Sequence, residues 1–249
     1  MSLILGIDLG GSSIKAGAVD TATGQVVGAL ESVPTPSGAT LPGTKSALAT
    51  LARRFPQCAG PVGLAFPAVV THGRTHSAAN VDSGWIGADA AALLTEATGR
   101  PGYVVNDGDA AGVAEMRIGA GRGEQGVVMM LTFGTGIGSA LFVDGRLWPN
   151  TELGHMEING REAEHQASAR VRTVESLDWP AWCRAVNVVL ARYHALLWPD
   201  LFIIGGGVSE RWEEFGTLLQ SPARIVPAGL RHTAGVVGAA LYAAESHRS

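Results

Sequence analysis

The sequence predicts an α/β protein of two similar lobes around a cleft, and three observations carry that expectation. Two apolar strand-like runs each break at a Gly/Ser/Thr turn and resume as a second strand, LILGIDLGGSSIKAGAV from Leu3 and VVMMLTFGTGIGSALFVDG from Val127. Each run opens a series of elements in the order βββαβαβα, so the second half of the chain repeats the first. At 249 residues the chain is long enough for two such lobes, each with its own core.

Taken in order, Leu3 to Leu9, Ile14 to Val19 and Gln25 to Glu31 read as antiparallel strands joined by GGSS and TATG. Pro34 to Thr44 is rich in Pro, Gly, Ser and Thr and reads as a loop, followed by an amphipathic helix over Ser46 to Phe55. A buried strand at Val62 to Phe66, a helix over Ala88 to Thr98, a strand at Tyr103 to Asn106 and a helix from Asp107 to about Gly119 complete the first half. In the second half Val127 to Phe133, Ser139 to Val143 and a short piece near Leu147 form strands, with Asp144-Gly145 as a hairpin signal. An irregular region and helices follow, the clearest over Trp179 to Trp198. A strand at Leu201 to Ile204, the run Gly205-Gly206-Gly207, a helix over Glu210 to Leu219, a strand at Arg224 to Val226 and a helix over Gly235 to His247 close the chain. The expected lobes are residues 1–110, joined by the final helix at about 236–249, and residues 111–235.

Composition excludes several classes. No apolar run reaches the length of a membrane span, and MSLILGID passes into a strand without signal-peptide architecture, so a cytoplasmic protein is expected. Cys58 and Cys183 lie far apart in no metal-like spacing. A net charge of -4 argues against nucleic acid as a partner, because a broad phosphate footprint demands a basic surface. Lys15 and Lys45 are the only lysines, which draws attention to Lys15 beside the first turn.

The two turns suit phosphate. Gly10, Gly11, Ser12 and Ser13, with Asp8 before and Lys15 after, and Thr132, Gly134, Thr135, Gly136 and Gly138 in the second run, expose backbone N–H groups and hydroxyls with few Cβ atoms to keep an anion away. A single such turn is equally a tight hairpin. Each leads into a strand, so neither is a Walker loop or a dinucleotide fingerprint. Gly206 and Gly207, between a strand and an expected helix, offer a third place for a phosphate chain or nucleotide.

At these residues the chain resembles a known family. The segments GIDLGGSSIK, AFPAVV, SAANVDSGWIG, VVNDGDAAGVAE, LTFGTGIGSALF, NTELGHMEI and WPDLFIIGGGVS, in this order, are similar to the ROK (repressor, open reading frame, kinase) sugar kinases, and most of all to their polyphosphate-using glucokinase branch. The resemblance implies the actin-like and hexokinase-like (ribonuclease H-like) fold, with sugar drawing the lobes together. It implies phosphoryl transfer to the 6-hydroxyl of glucose from polyphosphate and from ATP, with Mg²⁺ as cofactor, held by Asp8 through water, and a homodimer. Asp107 is then the general base, and Asn80, Asn106, Glu152, His155 and Glu164 bind the sugar hydroxyls. Read without the resemblance, Asp107 equally N-caps the helix that follows it, and Glu164, in the charged run GREAEHQ, equally belongs to a solvated surface. Arg231 and His232 are candidates for a distal polyphosphate track, or ordinary surface charges.

Three departures from the family pattern stand out. The wider family follows this histidine with three zinc-binding cysteines, whereas MEINGREAEHQAS holds none, so no zinc site is expected and His155 is held by hydrogen bonds alone. Ala68 stands where the family has glycine, and Gly108 where alanine is usual, the latter weakening the helix start by up to roughly 1 kcal/mol. An ATP-only glucokinase or a glucomannokinase is the main alternative activity. A non-catalytic sugar-binding regulator of the same family is the other, and it should have lost Asp107, Asp8 or the turns.

Overall fold

The computed structural model describes residues 3–79 and 81–248, and the chain divides into two units, Met1–Ala114 with Thr233–Ser249 and Glu115–His232. In the first, β1 (Leu3–Leu9), β2 (Ser13–Asp20) and β3 (Gln25–Pro34) form an antiparallel meander. Helix α1 (Leu41–Ala52) leads to β4 (Val62–Phe66), which pairs parallel with β1. A small hairpin of β5 (Val70–Thr71) and β6 (Arg74–Thr75), then α2 (Ala90–Thr98), β7 (Gly102–Asn106) and α3 (Asp107–Ile118) follow. The sheet order is β3-β2-β1-β4-β7.

The second unit repeats this plan. Strands β8 (Val127–Phe133), β9 (Ile137–Val143) and β10 (Arg146–Trp148) form the meander, followed by a hairpin of β11 (Glu157–Ile158) and β12 (Arg161–Glu162). Helices α4 (Glu164–Ala167), α5 (Ala169–Val174) and α6 (Trp179–Leu197) lead to β13 (Leu201–Gly205), α7 (Trp212–Phe215) and β14 (Arg224–Pro227). The order β10-β9-β8-β13-β14 matches the first sheet strand for strand. Helix α8 (Ala234–Ser246) returns to the first unit.

Why α8 belongs there is written in its glycines. A Cβ on Gly6 of β1 would run into the Val236 carbonyl, one on Gly63 of β4 into the Ala239 carbonyl, and one on Gly238 into the Ala110 carbonyl of α3. The helix therefore lies backbone to backbone on the central strands. On the opposite face, Leu5, Ile7, Leu64 and Phe66 pack with Leu48 and Leu51 of α1 and Leu94 of α2. Cover on both faces explains why β4 is buried along its whole length. In the second unit Met129, Leu131, Phe133, Phe202 and Ile204 pack against Trp182, Val186 and Tyr193 of α6 and against Phe215.

Two helices differ from the sequence expectation. Helix α1 starts at Leu41 and not Ser46, because Pro42 falls in its first turn, where a missing N–H costs nothing; the expected loop to Thr44 is shorter accordingly. The continuous helix expected over Glu210 to Leu219 is broken into a 3-10 turn (Gly207–Arg211), the single turn α7 and another 3-10 turn (Gly216–Leu218). The break falls at Gly216, over which the Trp212 ring lies so closely that a Cβ would strike it. Among the described residues no helix is long and apolar enough to cross a membrane.

Candidate active site

In the first unit the predicted residues gather at one edge of the sheet. Strands β1, β4 and β7 run parallel, with Asp8 beside Ala65 and Phe66 beside Asn106, so the ends of all three point the same way. The first turn is closed by the Gly10 N–H on the Ser13 carbonyl (3.1 Å) and stapled by Thr35, whose hydroxyl donates to the Gly10 carbonyl (2.6 Å) and whose N–H donates to Ser12 (3.1 Å). Gly11 and Ser12 are left exposed at its tip. Asp8 pairs across the hairpin with Lys15, and on its other side it meets Gly235 in the first turn of α8. Burial pushes the Asp8 carboxyl above its ordinary value, and Lys15 opposes that shift.

The Asn106-Asp107 pair divides its labour. Asn106 is buried; its carboxamide oxygen accepts from the Asp109 N–H (3.1 Å) and its amide donates to the Ala68 carbonyl (3.2 Å). Asn106 is thus the capping side chain of α3, a role open to Asp107 on sequence alone. Asp107 is the first residue of the helix and exposed, with its own carboxylate accepting from the Gly108 N–H (2.8 Å). The Ala68 methyl is buried, and its carbonyl is the one that orients Asn106. Asn80 lies outside the described residues.

In the second unit the turn Gly134-Thr135-Gly136 is closed by the Gly134 N–H on the Gly136 carbonyl (3.0 Å). The Arg170 N–H donates to the Gly134 carbonyl (3.0 Å), and Glu164 accepts from the Ile137 N–H (3.3 Å). A Cβ on Gly136 would displace that carboxylate from its place at the turn. Gly205 lies beside Thr132 in the parallel pairing of β13 with β8, and Gly206 (φ 83°) is pressed against the Phe133 backbone. The predicted donor residues Thr132, Gly134, Thr135, Gly136, Gly206 and Gly207 therefore form one neighbourhood. The helix expected to aim its N-terminus there is only a 3-10 turn, so backbone amides and not a helix dipole are what this edge offers. Arg231 and His232 are exposed in a 3-10 turn before α8.

Glu152 precedes and His155 ends a 3-10 turn, Leu153–His155, pinned to β9. Gly154 has no room for a Cβ against the Ile137 carbonyl; Ser139 accepts from the Leu153 N–H (3.1 Å) and donates to the Thr151 carbonyl; Tyr193 donates to the Leu153 carbonyl (2.6 Å). Burial drives the Tyr193 phenol upward, which keeps it a donor. The His155 ring is surrounded by carboxylates, with Nδ1 3.1 Å from Glu162 and 3.9 Å from Glu164, and Nε2 4.0 Å from Glu152. The hydrogen bond to Glu162 raises the imidazole, burial opposes, and the charges of Glu164, Glu162 and Glu152 add to the rise. Burial raises Glu152, with His155 opposing and Glu164 reinforcing.

Ligand atoms of His155, Glu162 and Glu164 lie within 4.8 Å of one another, a grouping not anticipated from the sequence. One imidazole and two carboxylates lack the thiolates of a structural zinc site. Glu162 was missed because its hairpin was missed; the signal was Asn159-Gly160, both at positive φ, as a two-residue hairpin turn requires.

A family model described as the ROK family matches residues 4–170. A polyphosphate glucokinase of Mycobacterium tuberculosis (strain CDC 1551 / Oshkosh) is 46% identical over 237 residues, covering 95% of this chain and 89% of the relative. The crystal structure of an inorganic polyphosphate/ATP-glucomannokinase from Arthrobacter sp. strain KM matches with a TM-score of 0.94 at 45% identity, over 99% of this chain and 100% of that one. A ROK family glucokinase from Streptomyces griseus, solved with glucose and AMPPNP, shares the fold at a TM-score of 0.81 and 24% identity, over 98% and 99%.

Proposed function

This chain belongs to the ROK family, and from that premise we propose that it is a glucokinase that transfers the terminal phosphoryl group of inorganic polyphosphate, and of ATP, to the 6-hydroxyl of glucose. The observation that carries the reading is the division between Asn106 and Asp107. The cap of α3 is supplied by its neighbour, and the exposed Asp107 carboxylate stands at the strand end as the base. The sugar oxygen attacks the terminal phosphorus, the bridging P–O bond breaks, and the hydroxyl proton passes to Asp107. Glu152, His155 and Glu164 supply acceptors and a ring nitrogen for the other hydroxyls, which a wrong epimer would leave unpaired.

The turns at Gly10–Ser13 and Gly134–Gly136 present backbone donors to phosphate oxygens, and Lys15 adds a cation. Phosphoryl transfer uses a divalent ion in this chemistry, and the carboxylate of Asp8, a hard oxygen donor at a phosphate-binding turn, suits Mg²⁺ held through water. When bound, the ion would neutralise charge on the phosphate oxygens. Work in the cytoplasm and assembly as a homodimer go with the same reading. The Arthrobacter relative, a glucomannokinase by name, favours mannose as a second acceptor.

The test is sugar 6-phosphate formation with polyphosphate, ATP or GTP as sole donor, with glucose or mannose as acceptor, with and without chelator. Transfer from polyphosphate to glucose that stops in excess chelator is expected. Activity with ATP and none with polyphosphate at low salt would leave an ATP glucokinase, and no transfer from any donor would overturn the reading.

A further inference from the structure

The imidazole of His155 is held at Nδ1 by a carboxylate from a neighbouring hairpin. Strands β11 and β12 pair Glu157 with Glu162 and Ile158 with Arg161 around the Asn159-Gly160 turn. The hairpin is fastened at both ends. The Gln166 carboxamide donates to the Arg161 and Ile158 carbonyls (2.8 and 2.9 Å), and the Ala163 N–H donates to the Met156 carbonyl (2.9 Å). Glu162 therefore stands on a braced backbone, unlike a long surface side chain whose ion pair is worth little. Its Oε2 is 3.1 Å from Nδ1 of His155 and 3.7 Å from Nδ1 of His165, so only His155 is within hydrogen-bond reach. Glu164 has a different task at the Ile137 N–H.

We propose that Glu162 is the positioning residue of the sugar site: it accepts the Nδ1–H of His155, fixing the ring and turning Nε2, on the Glu152 side, toward a sugar hydroxyl. A carboxylate cannot donate, so an ionised Glu162 selects the Nδ1–H tautomer. At metal-bound imidazoles, removing the partner that orients the ring typically costs roughly 10- to 100-fold, and the Glu162–His155 pair has the same orienting geometry. The inference rests on the reading of this turn as the sugar site of a glucokinase.

Two variants and one spectroscopic measurement test it. In Glu162→Ala the KM and the Kd for glucose should rise roughly tenfold or more, while KM for the phosphoryl donor and the melting temperature stay unchanged. Glu162→Gln, whose carboxamide oxygen still accepts, should recover most of the affinity. Long-range ¹H–¹⁵N spectra of His155 should show the Nδ1–H form in the wild type and a shift toward Nε2–H in Glu162→Ala. An unchanged glucose Kd or an unchanged tautomer in Glu162→Ala would overturn the proposal, as would stoichiometric zinc in the purified wild type that is lost in the variant, since Glu162 would then be a ligand. The tautomer reports on Glu162 even if glucose proves not to be the substrate, so failure of this inference and failure of the glucokinase reading are separately visible.

Discussion

Replacing Gly235 with alanine should separate activity from stability in a way few substitutions can. A Cβ built there lies 2.7 Å from Cγ and Oδ2 of Asp8 and 3.1 Å from Oδ1. Ordinary contact begins near 3.4 Å, so about 0.7 Å must be found. What yields is the tip of one side chain and not backbone, which makes the adjustment cheap for the fold. Gly235 has no positive φ, and alanine is worth up to roughly 1 kcal/mol more than glycine within a helix, so the melting temperature should hold or rise slightly. Activity should move the other way. Misplacing a reacting or ion-holding group by about 1 Å can cost roughly 100-fold, so a 10- to 100-fold fall in kcat is expected, about 1.4–2.8 kcal/mol of transition-state stabilisation. Calorimetry and steady-state kinetics at saturating glucose give both numbers on one preparation. A fully active Gly235→Ala enzyme would refute the role given to Asp8, and a melting temperature lower by several degrees would show that the backbone had taken the strain. Alanine at Gly6 or Gly63 is the contrast, because there the obstacle is a carbonyl of α8 and folding itself should suffer.

Asp107→Asn should keep its fold and its glucose affinity, since Asn106 caps α3, while kcat falls by roughly 100- to 10,000-fold; a variant within tenfold of wild type would remove Asp107 as the base. Asp8 carries a raised pKa because burial disfavours its charge, so the folded state holds the proton more tightly than the unfolded one, and its contribution to stability falls as pH rises from 3.8 through the folded value. Asp8→Asn should therefore be more stable than wild type at pH 7 in chemical denaturation and nearly inactive, and equal or lower stability would contradict the burial argument. Glu115 is fully buried and accepts from the N–H groups of Ala120 (2.7 Å), Gly229 (3.1 Å) and Leu230 (2.8 Å). Glu115→Ala strands three donors and should cost about 3 kcal/mol or more, read as a fall in the denaturation midpoint without a change in the slope.

The elements that could be read from sequence were those where an apolar run and a backbone-specific residue ended at the same place. Strands β1, β4 and β8 carry the expected bounds, Leu3–Leu9, Val62–Phe66 and Val127–Phe133, because Gly, Pro or a turn follows each run directly. Pro42 misled because the same residue ends a helix from within and begins one from its first turn. The hairpins at His72-Gly73 and Asn159-Gly160 have strands of two residues, too short for any period to register. Asn106 and Asp107 are both good caps, and only the 3.1 Å bond to the Asp109 N–H decides between them. Glu162 was hidden for a related reason: its partner lies seven residues away through a turn, a separation that no helical or strand periodicity selects.

Duplication of the sheet makes the two turns proposed for phosphate comparable position by position, and their charges differ. In the first hairpin the last pair before the turn is Leu9 with Ile14, and the next is Asp8 with Lys15. In the second the last pair is Phe133 with Ile137, and the next is Thr132 with Gly138. One repeat thus carries a carboxylate and an ammonium where the other carries a hydroxyl and no side chain. A phosphate chain is repelled by an uncompensated carboxylate near it; in the first turn the carboxylate is set across from a lysine, and in the second Thr132 brings no charge. The second unit does bring a carboxylate to its turn, that of Glu164, but the Ile137 N–H donates to it and it also lies near the His155 ring. Its remaining acidic site residues, Glu152 and Glu162, are gathered around the same imidazole, where a neutral polyol can use acceptors that a phosphate chain could not.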